Sequence, residues 1–292
     1  MSTPNARGRE QTGTYGVPKH LNAEEIKRLS LQNRLINTGL GGLLPEQPET
    51  AHFSSVLDVG CGTGGWLIEL AKSDPDITSL TGIDINEKIV AFARQQAAAE
   101  KVSNRVKFQA MDAIRALTFP DAHFDLVNQR LAVSWLRTWD WTSLLREYLR
   151  VSRPGGMVRV TEMNYLPAQA SSSALLQLCE LMVKASYQAG HLYRPDGNSL
   201  LEALPDLLTR HGLKHVQSHP YTLEAHGGTP EGDLLAEDMQ RLFQNVKFFL
   251  NKWVRLPEDY DDICQRMVRE MHAPDSVTIS NFITVWGVKE AS

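Results

Sequence analysis

From Val56 to Trp66 the chain reads Val-Leu-Asp-Val-Gly-Cys-Gly-Thr-Gly-Gly-Trp, an apolar run that carries one carboxylate and opens into alternate glycines. Gly60, Gly62 and Gly64 have no Cβ, so a loop built from them lets backbone come close to a ligand. Gly60, Gly62 and Gly65 also satisfy GxGxxG, so spacing alone suits a nicotinamide dinucleotide as well as a sulfonium cofactor. Asp58 is the discriminating residue. A carboxylate just before the loop repels a pyrophosphate but suits a ligand whose nearest groups are an ammonium and a sulfonium. It can accept loop N–H bonds at the same time. Cys61, inside the loop, reads as a small residue filling a tight turn rather than as a nucleophile.

Two further acids follow at strand ends. Thr81-Gly82-Ile83-Asp84-Ile85 brings a carboxylate roughly two dozen residues after the first glycine, and Phe108-Gln109-Ala110-Met111-Asp112-Ala113 brings another. In order and spacing these blocks resemble the motifs of class I S-adenosylmethionine-dependent methyltransferases, over about residues 54–162. The resemblance implies that Asp58, Gly60, Cys61, Gly62 and Gly64 cradle S-adenosylmethionine and that Asp84, with Ile85 beside it, takes the ribose hydroxyls. It implies that Asp112, flanked by Met111 and Ala113, accepts from the adenine amino group, and that Gln129 and Arg130 follow the fourth strand at the cofactor. Leu149-Arg150-Val151-Ser152-Arg153-Pro154-Gly155-Gly156 resembles the turn before the family's fifth strand, whereas Asp125 reads as structural. More distantly, residues 24–32, Arg130 and residues 135–141 are similar to the ubiquinone/menaquinone C-methyltransferase type and to secondary-metabolite methyltransferases. There an N-terminal tyrosine can close over the cofactor, which makes Tyr15 a candidate lid residue.

Methyl transfer from a sulfonium is an in-line displacement, so the main tasks are to align the acceptor and to exclude water. The acceptor is expected over the carboxyl ends of strands four and five, beside Trp135, Asn164 and Tyr165. Glu162 is the first choice for a base, with His191 and His226 as alternatives; a solvated loop histidine is the plainer reading of either. Apolar and aromatic residues in the later helical blocks (Leu175, Met182, Phe243, Phe249) fit ordinary core, or an apolar pocket for an aromatic, polyketide or prenylated acceptor. No Asn-Pro motif follows strand four, where Asn128-Gln129-Arg130-Leu131 stands, and no metal constellation is legible. The leading function is therefore methylation of carbon, oxygen or nitrogen in a small hydrophobic metabolite. The alternatives are a non-methylating cyclase or binding protein that holds the same cofactor, and, behind them, an NAD(P)-dependent oxidoreductase.

The elements that must position these residues follow from periodicity. Short β-branched runs alternate with helical ones: strands at 55–59, 79–84, 105–109, 123–128 and 157–163, helices at 65–73, 87–99 and 140–151. A later helix at 200–211 and strands at 214–223 and 276–288 complete an α/β fold. It is a doubly wound, Rossmann-like, seven-stranded sheet whose last strand is antiparallel. Helical blocks at 171–190 and 233–272 exceed a minimal sheet. With a capped helix running from Asn22 to Gly39 they are expected to form a lid. The expected organisation is an arm and helix (1–50), a cofactor core (51–165), a lid insertion (166–198), a core helix and strand (199–224), a second lid insertion (225–275) and a closing strand (276–292).

With 292 residues and 42% apolar content the chain can build one large core. Thirty Lys and Arg against 34 Asp and Glu provide no broad cationic field, so nucleic acid is not the expected partner. A small-molecule acceptor is expected, and the lid or N-terminal arm offers a surface for homo-oligomerisation. No export signal or membrane span is legible and the three cysteines show no ligand spacing, so the expected location is the cytoplasm.

Overall fold

The computed structural model describes residues 23–48 and 51–291; the proposed arm and Tyr15 lie outside them. Helix α1 (Ala23–Gly39) precedes β1 (Ser55–Val59), α2 (Gly65–Ser73), β2 (Ser79–Asp84), α3 (Glu87–Ala99), β3 (Val106–Ala110) and β4 (Phe124–Arg130). A 3-10 turn at Ala132–Ser134 leads to α4 (Trp141–Val151), β5 (Ser152–Met163) and the two-residue β6 (Gln169–Ala170). Then come α5 (Ser173–Ala189), α6 (Ser199–Arg210), β7 (Lys214–His226), α7 (Pro230–Trp253), α8 (Tyr260–Met271) and β8 (Val277–Val288).

The strands form one sheet in the order β3-β2-β1-β4-β5-β8, with β6 and β7 both paired to β8. Strands β1 to β5 are mutually parallel, and β8 runs antiparallel to its partners β5, β6 and β7. The expected antiparallel last strand is therefore present, and β6 makes an eighth strand where seven were expected. Strand β5 also begins at Ser152, earlier than the hydrophobic run suggests. Ser152 pairs with Phe124, and the register then shifts around the Pro-Gly-Gly turn before Met157 pairs with Leu126.

Alternation along the strands divides the sheet into two faces. Leu57, Val59, Val127, Val158 and Val160 pack with α4 and α6 in one core cluster. Val56, Leu80 and Leu126 pack with α2 and α3 in another. The third cluster lies among the helices expected to form a lid: α1, α5, α7 and α8 bury Leu35, Leu175, Met182, Phe243, Phe249 and Met267 beside Phe282 of β8. Local signals fix these helices. Ser172 caps α5 by accepting from the Leu175 N–H, and Gly190 ends it at φ +88. Thr229 caps α7 ahead of Pro230, which suits a first helical position. The block expected at 233–272 is two helices, interrupted around Pro257, where a helix interior would lose a hydrogen bond. No helix among the described residues is long and apolar enough to cross a membrane.

Candidate active site beneath the helical lid

The glycine loop turns sharply as β1 ends. Gly60, Gly62 and Gly64 all have positive φ, at +72, +52 and +77. A Cβ on Gly62 would meet nothing within 4 Å, so this part of the loop is open to a ligand. Gly64 serves packing instead, because a Cβ there would collide with Phe108 at 2.4 Å. The loop is tied to β2: the N–H groups of Gly60 and Cys61 both donate to the Ile83 carbonyl, and Asp84 Oδ2 accepts the Gly62 N–H at 3.2 Å. Asp84 Oδ1 accepts the Asn86 N–H at 2.9 Å, and burial raises its pKa.

A single cavity joins this loop to the lid. Asp58, Gly60, Cys61, Gly62 and Asp84 line its floor, and Trp135, Asn164 and Tyr165 line its wall. Leu29, Leu175, Met182, Leu235, Phe243 and Phe249, from α1, α5 and α7, make an apolar roof. Trp135 lies close to the loop, its ring 3.4 Å from where a Gly60 Cβ would stand. Asn164 donates to Asn198 at 2.6 Å, while its own Oδ1 is buried with no hydrogen-bond partner among the described residues. Burial raises the Tyr165 phenol above its ordinary pKa. It also lifts the Cys61 thiol well above its own, which leaves Cys61 a packing residue.

Asp58 is 4% exposed, and burial pushes its pKa up to about 6 against the opposing charges of Arg130 and Arg159. Its Oδ1 accepts from Asn128 Nδ2 at 2.8 Å. Arg130 lines the same cavity and reaches α1, donating to Asn37 Oδ1 at 2.8 Å and Asn33 Oδ1 at 2.6 Å. Its guanidinium also lies over the Trp66 ring, 5.6 Å from the centroid. Helix α1 is thus fastened to the cavity floor.

Other sequence-expected residues stand elsewhere. Glu162 is fully buried but does not line the cavity. Strand alternation turns it to the α4 face with Val158 and Val160, where it accepts from the N–H groups of Ala132 (2.7 Å) and Val133 (3.2 Å) and from Gln129 Nε2 (3.2 Å). It anchors the 3-10 turn, and the structure places this candidate base behind the cavity wall rather than on it. Burial lifts its pKa to about 8 in spite of those donors. Gln129 belongs to the same buried group, accepts the Tyr148 hydroxyl and does not line the cavity. His191 is 1% exposed, its Nδ1 lies 3.0 Å from the Leu136 carbonyl, and it stays off the cavity wall. His226 pairs with Glu224 at 2.8 Å on the half-exposed end of β7, also away from the cavity. The structure brings neither histidine to the cavity lining.

Ile85, Met111, Asp112 and Ala113 sit at the carboxyl ends of β2 and β3, outside the enclosed part of the cavity. Ile85 is 58% exposed, and Asp112 Oδ1 accepts the Ile114 N–H at 3.1 Å while Oδ2 pairs with Arg115.

Sequence reading missed Arg28 and Asp238. Both line the roof, both are nearly fully buried, and Arg28 Nη1 donates to Asp238 Oδ1 at 3.1 Å across 210 residues of chain. Arg28 also holds both oxygens of Glu25. The available signal was position: Arg28 with Leu31 and Leu35, and Asp238 with Leu235 and Leu242, fall on the apolar stripes of their helices. Burial lifts Asp238 to about 6, and Arg28 draws it back down.

A protein family described as a methyltransferase domain matches residues 56–156 of the chain. A malonyl-acyl-carrier-protein O-methyltransferase of Erwinia pyrifoliae is 30% identical over 213 residues, 70% of this chain and 76% of that protein. A demethylmenaquinone methyltransferase of Deinococcus radiodurans is 35% identical over 139 residues, 46% of this chain, and the chain spans only 55% of that relative's length. Among solved structures, phosphoethanolamine N-methyltransferase 2 of Haemonchus contortus, in complex with phosphomonomethylethanolamine and S-adenosylhomocysteine, shares the fold. The TM-score is 0.56 at 20% identity, over 93% of this chain and 59% of that one.

Proposed function

The chain belongs to the S-adenosylmethionine-dependent methyltransferases, and we propose that it moves a methyl group from this cofactor to carbon, oxygen or nitrogen of a small, hydrophobic organic molecule. One observation carries this reading: a single cavity has a polar floor suited to the cofactor and an apolar roof suited to the acceptor. The floor residues fit the cofactor. The open face of Gly62 admits close approach, the buried Asp58 offers a carboxylate to an ammonium, and Asp84 offers acceptor oxygens to ribose hydroxyls. Arg130 offers a cation to the carboxylate of the methionine part. Asp112, Met111, Ala113 and Ile85 would border the adenine.

S-adenosylmethionine, when bound, supplies an electrophilic methyl group. The protein's part is to hold the acceptor in line and to keep water out. Trp135, Asn164 and Tyr165 are the proposed acceptor contacts, and the α1, α5 and α7 side chains supply the dry surface. If the acceptor must lose a proton, Asp238 is suited to receive it. It is a carboxylate on the roof, distinct from Asp58 and Asp84 of the floor, and its pKa of about 6 keeps it ionised at neutral pH.

The near balance of charges favours a small molecule over nucleic acid. Three buried free cysteines accord with a reducing compartment, so the proposed site of action is the cytoplasm. Self-association through the lid would use α7, where Phe248 is 83% exposed. Calorimetric titration with S-adenosylmethionine, followed by incubation of methyl-labelled cofactor with hydrophobic phenols, quinols and polyketides, tests the reading. Label that never leaves the bound cofactor would convert it into a cyclase or binding protein, and NADH binding in place of S-adenosylmethionine would remove it.

A further inference from the structure

We propose that Glu46 and Arg159, acting through the side-chain amide of Asn128, are positioning residues that fix Asp58 as the cation-binding carboxylate of the cofactor cradle; the proposal rests on the methyltransferase reading of the floor. Asp58, Asn128 and Arg159 stand in one row across β1, β4 and β5, because the parallel registers pair Asp58 with Asn128 and Asn128 with Arg159. Arg159 Nη1 donates to Asn128 Oδ1 at 2.9 Å, and Asn128 Nδ2 donates to Asp58 Oδ1 at 2.8 Å. A guanidinium can only donate, so the Asn128 carbonyl must face Arg159 and its NH2 must face Asp58. The arginine therefore sets the direction of the amide. The amide engages Oδ1 of Asp58 as an acceptor, which leaves Oδ2 for a ligand in the cavity.

An arginine that is 0% exposed in the middle of a sheet loses several kcal/mol of hydration, which only close partners offset. Glu46, from the segment between α1 and β1, supplies them: its oxygens take Arg159 Nε at 2.6 Å and Nη2 at 3.1 Å, and it also accepts the Tyr221 hydroxyl of β7 at 3.2 Å. Packing alone would place an aliphatic residue at 159, as it does at Val158 and Val160. A buried ion pair aimed at an asparagine is an expensive alternative, and what it does here is hold one hydrogen-bond direction. Asp58 also faces the charges of Arg130 on β4 and Asp84 on β2, with Cys61 of the loop and Tyr148 of α4 near by. Burial opposes ionisation of Asp58, and Arg159 is one of two cations that favour it.

The test uses the full chain with S-adenosylhomocysteine, which carries the ammonium without the sulfonium, and reads affinity by calorimetry between about pH 5 and 8. Replacing both charges together (Glu46→Gln with Arg159→Met) leaves no uncompensated ion. It should weaken binding roughly tenfold at neutral pH and move the acid limb of the affinity profile up by about one pH unit. Asp84 titrates in both proteins, so the difference between the two profiles reports Asp58. In an Asp58→Asn background the same pair of changes should alter affinity by less than about twofold, because the coupled group is gone.

An unchanged affinity and acid limb overturns the proposal, and so does an equal loss in the Asp58→Asn background, which would mean general distortion. Should the paired substitution fail to fold, Asn128→Leu cuts the same row while keeping the ion pair, with the same expected shift and the same refutation. Wild-type protein that binds no S-adenosylhomocysteine would overturn the cofactor reading itself, a result separate from binding that ignores Glu46 and Arg159.

Discussion

The side-chain carboxyl of Glu162 accepts the backbone N–H of Ala132 at 2.7 Å, and this contact fixes the turn that carries Trp135 to the glycine loop. Glu162→Gln presents an NH2 group to one of the turn's N–H donors. The expected result is a stability loss of about 1–3 kcal/mol in denaturant unfolding near pH 4, where the Glu162 carboxyl is protonated in both states, a loss that shrinks or reverses as pH rises towards its folded pKa of about 8; any loss of turnover should retain the wild-type pH profile. A profile that loses an ionisation would restore the base role.

Asp58 illustrates a site residue that works against stability. Its folded pKa of about 6 lies above the unfolded value near 3.8, so the folded state holds its proton more tightly. Its contribution is most favourable below the unfolded value, is lost as pH rises through about 6, and is then constant. Asp58→Asn carries no such penalty and can still accept from Asn128. The ligand-free variant should be more stable than wild type at pH 7, by on the order of 2 kcal/mol, and equal to it near pH 4. Unfolding curves at the two pH values check this.

Asp84→Ala removes the acceptor of the Gly62 and Asn86 N–H groups together with the proposed ribose contact. Affinity for S-adenosylmethionine should fall by about ten- to a hundredfold, with circular dichroism unchanged. Unchanged calorimetric affinity would contradict the assignment.

Asp238→Asn keeps the shape of the roof and an oxygen for Arg28 but removes a proton acceptor. For an acceptor that must lose a proton, kcat should drop by roughly a hundredfold while cofactor affinity stays within about twofold. Equal turnover by the variant would leave Asp238 as a link between α1 and α7 only.

Much of the floor was legible because its signals are local. Positive φ demands glycine at Gly60 and Gly62, and a carboxylate at the end of a parallel strand projects where loops leave the sheet, so short runs around Asp58 and Asp84 carried the inference. Strand and helix periods gave the alternating elements and the antiparallel closing strand for the same reason. That Glu162, Gln129 and His191 stand off the cavity lining was not legible, because spacing along a strand or loop does not say which face its neighbours cover.

By itself, then, the sequence determined a Rossmann-like core and a loop shaped for S-adenosylmethionine, both encoded within windows of a few residues. Tertiary structure alone decided that Arg130 faces the cavity while Gln129 does not, that Arg28 meets Asp238, and that Glu46 reaches Arg159 behind Asp58. Those relationships depend on sheet register and on the docking of helices distant in sequence. A buried charge is stable only beside partners that the folded chain brings to it from far away.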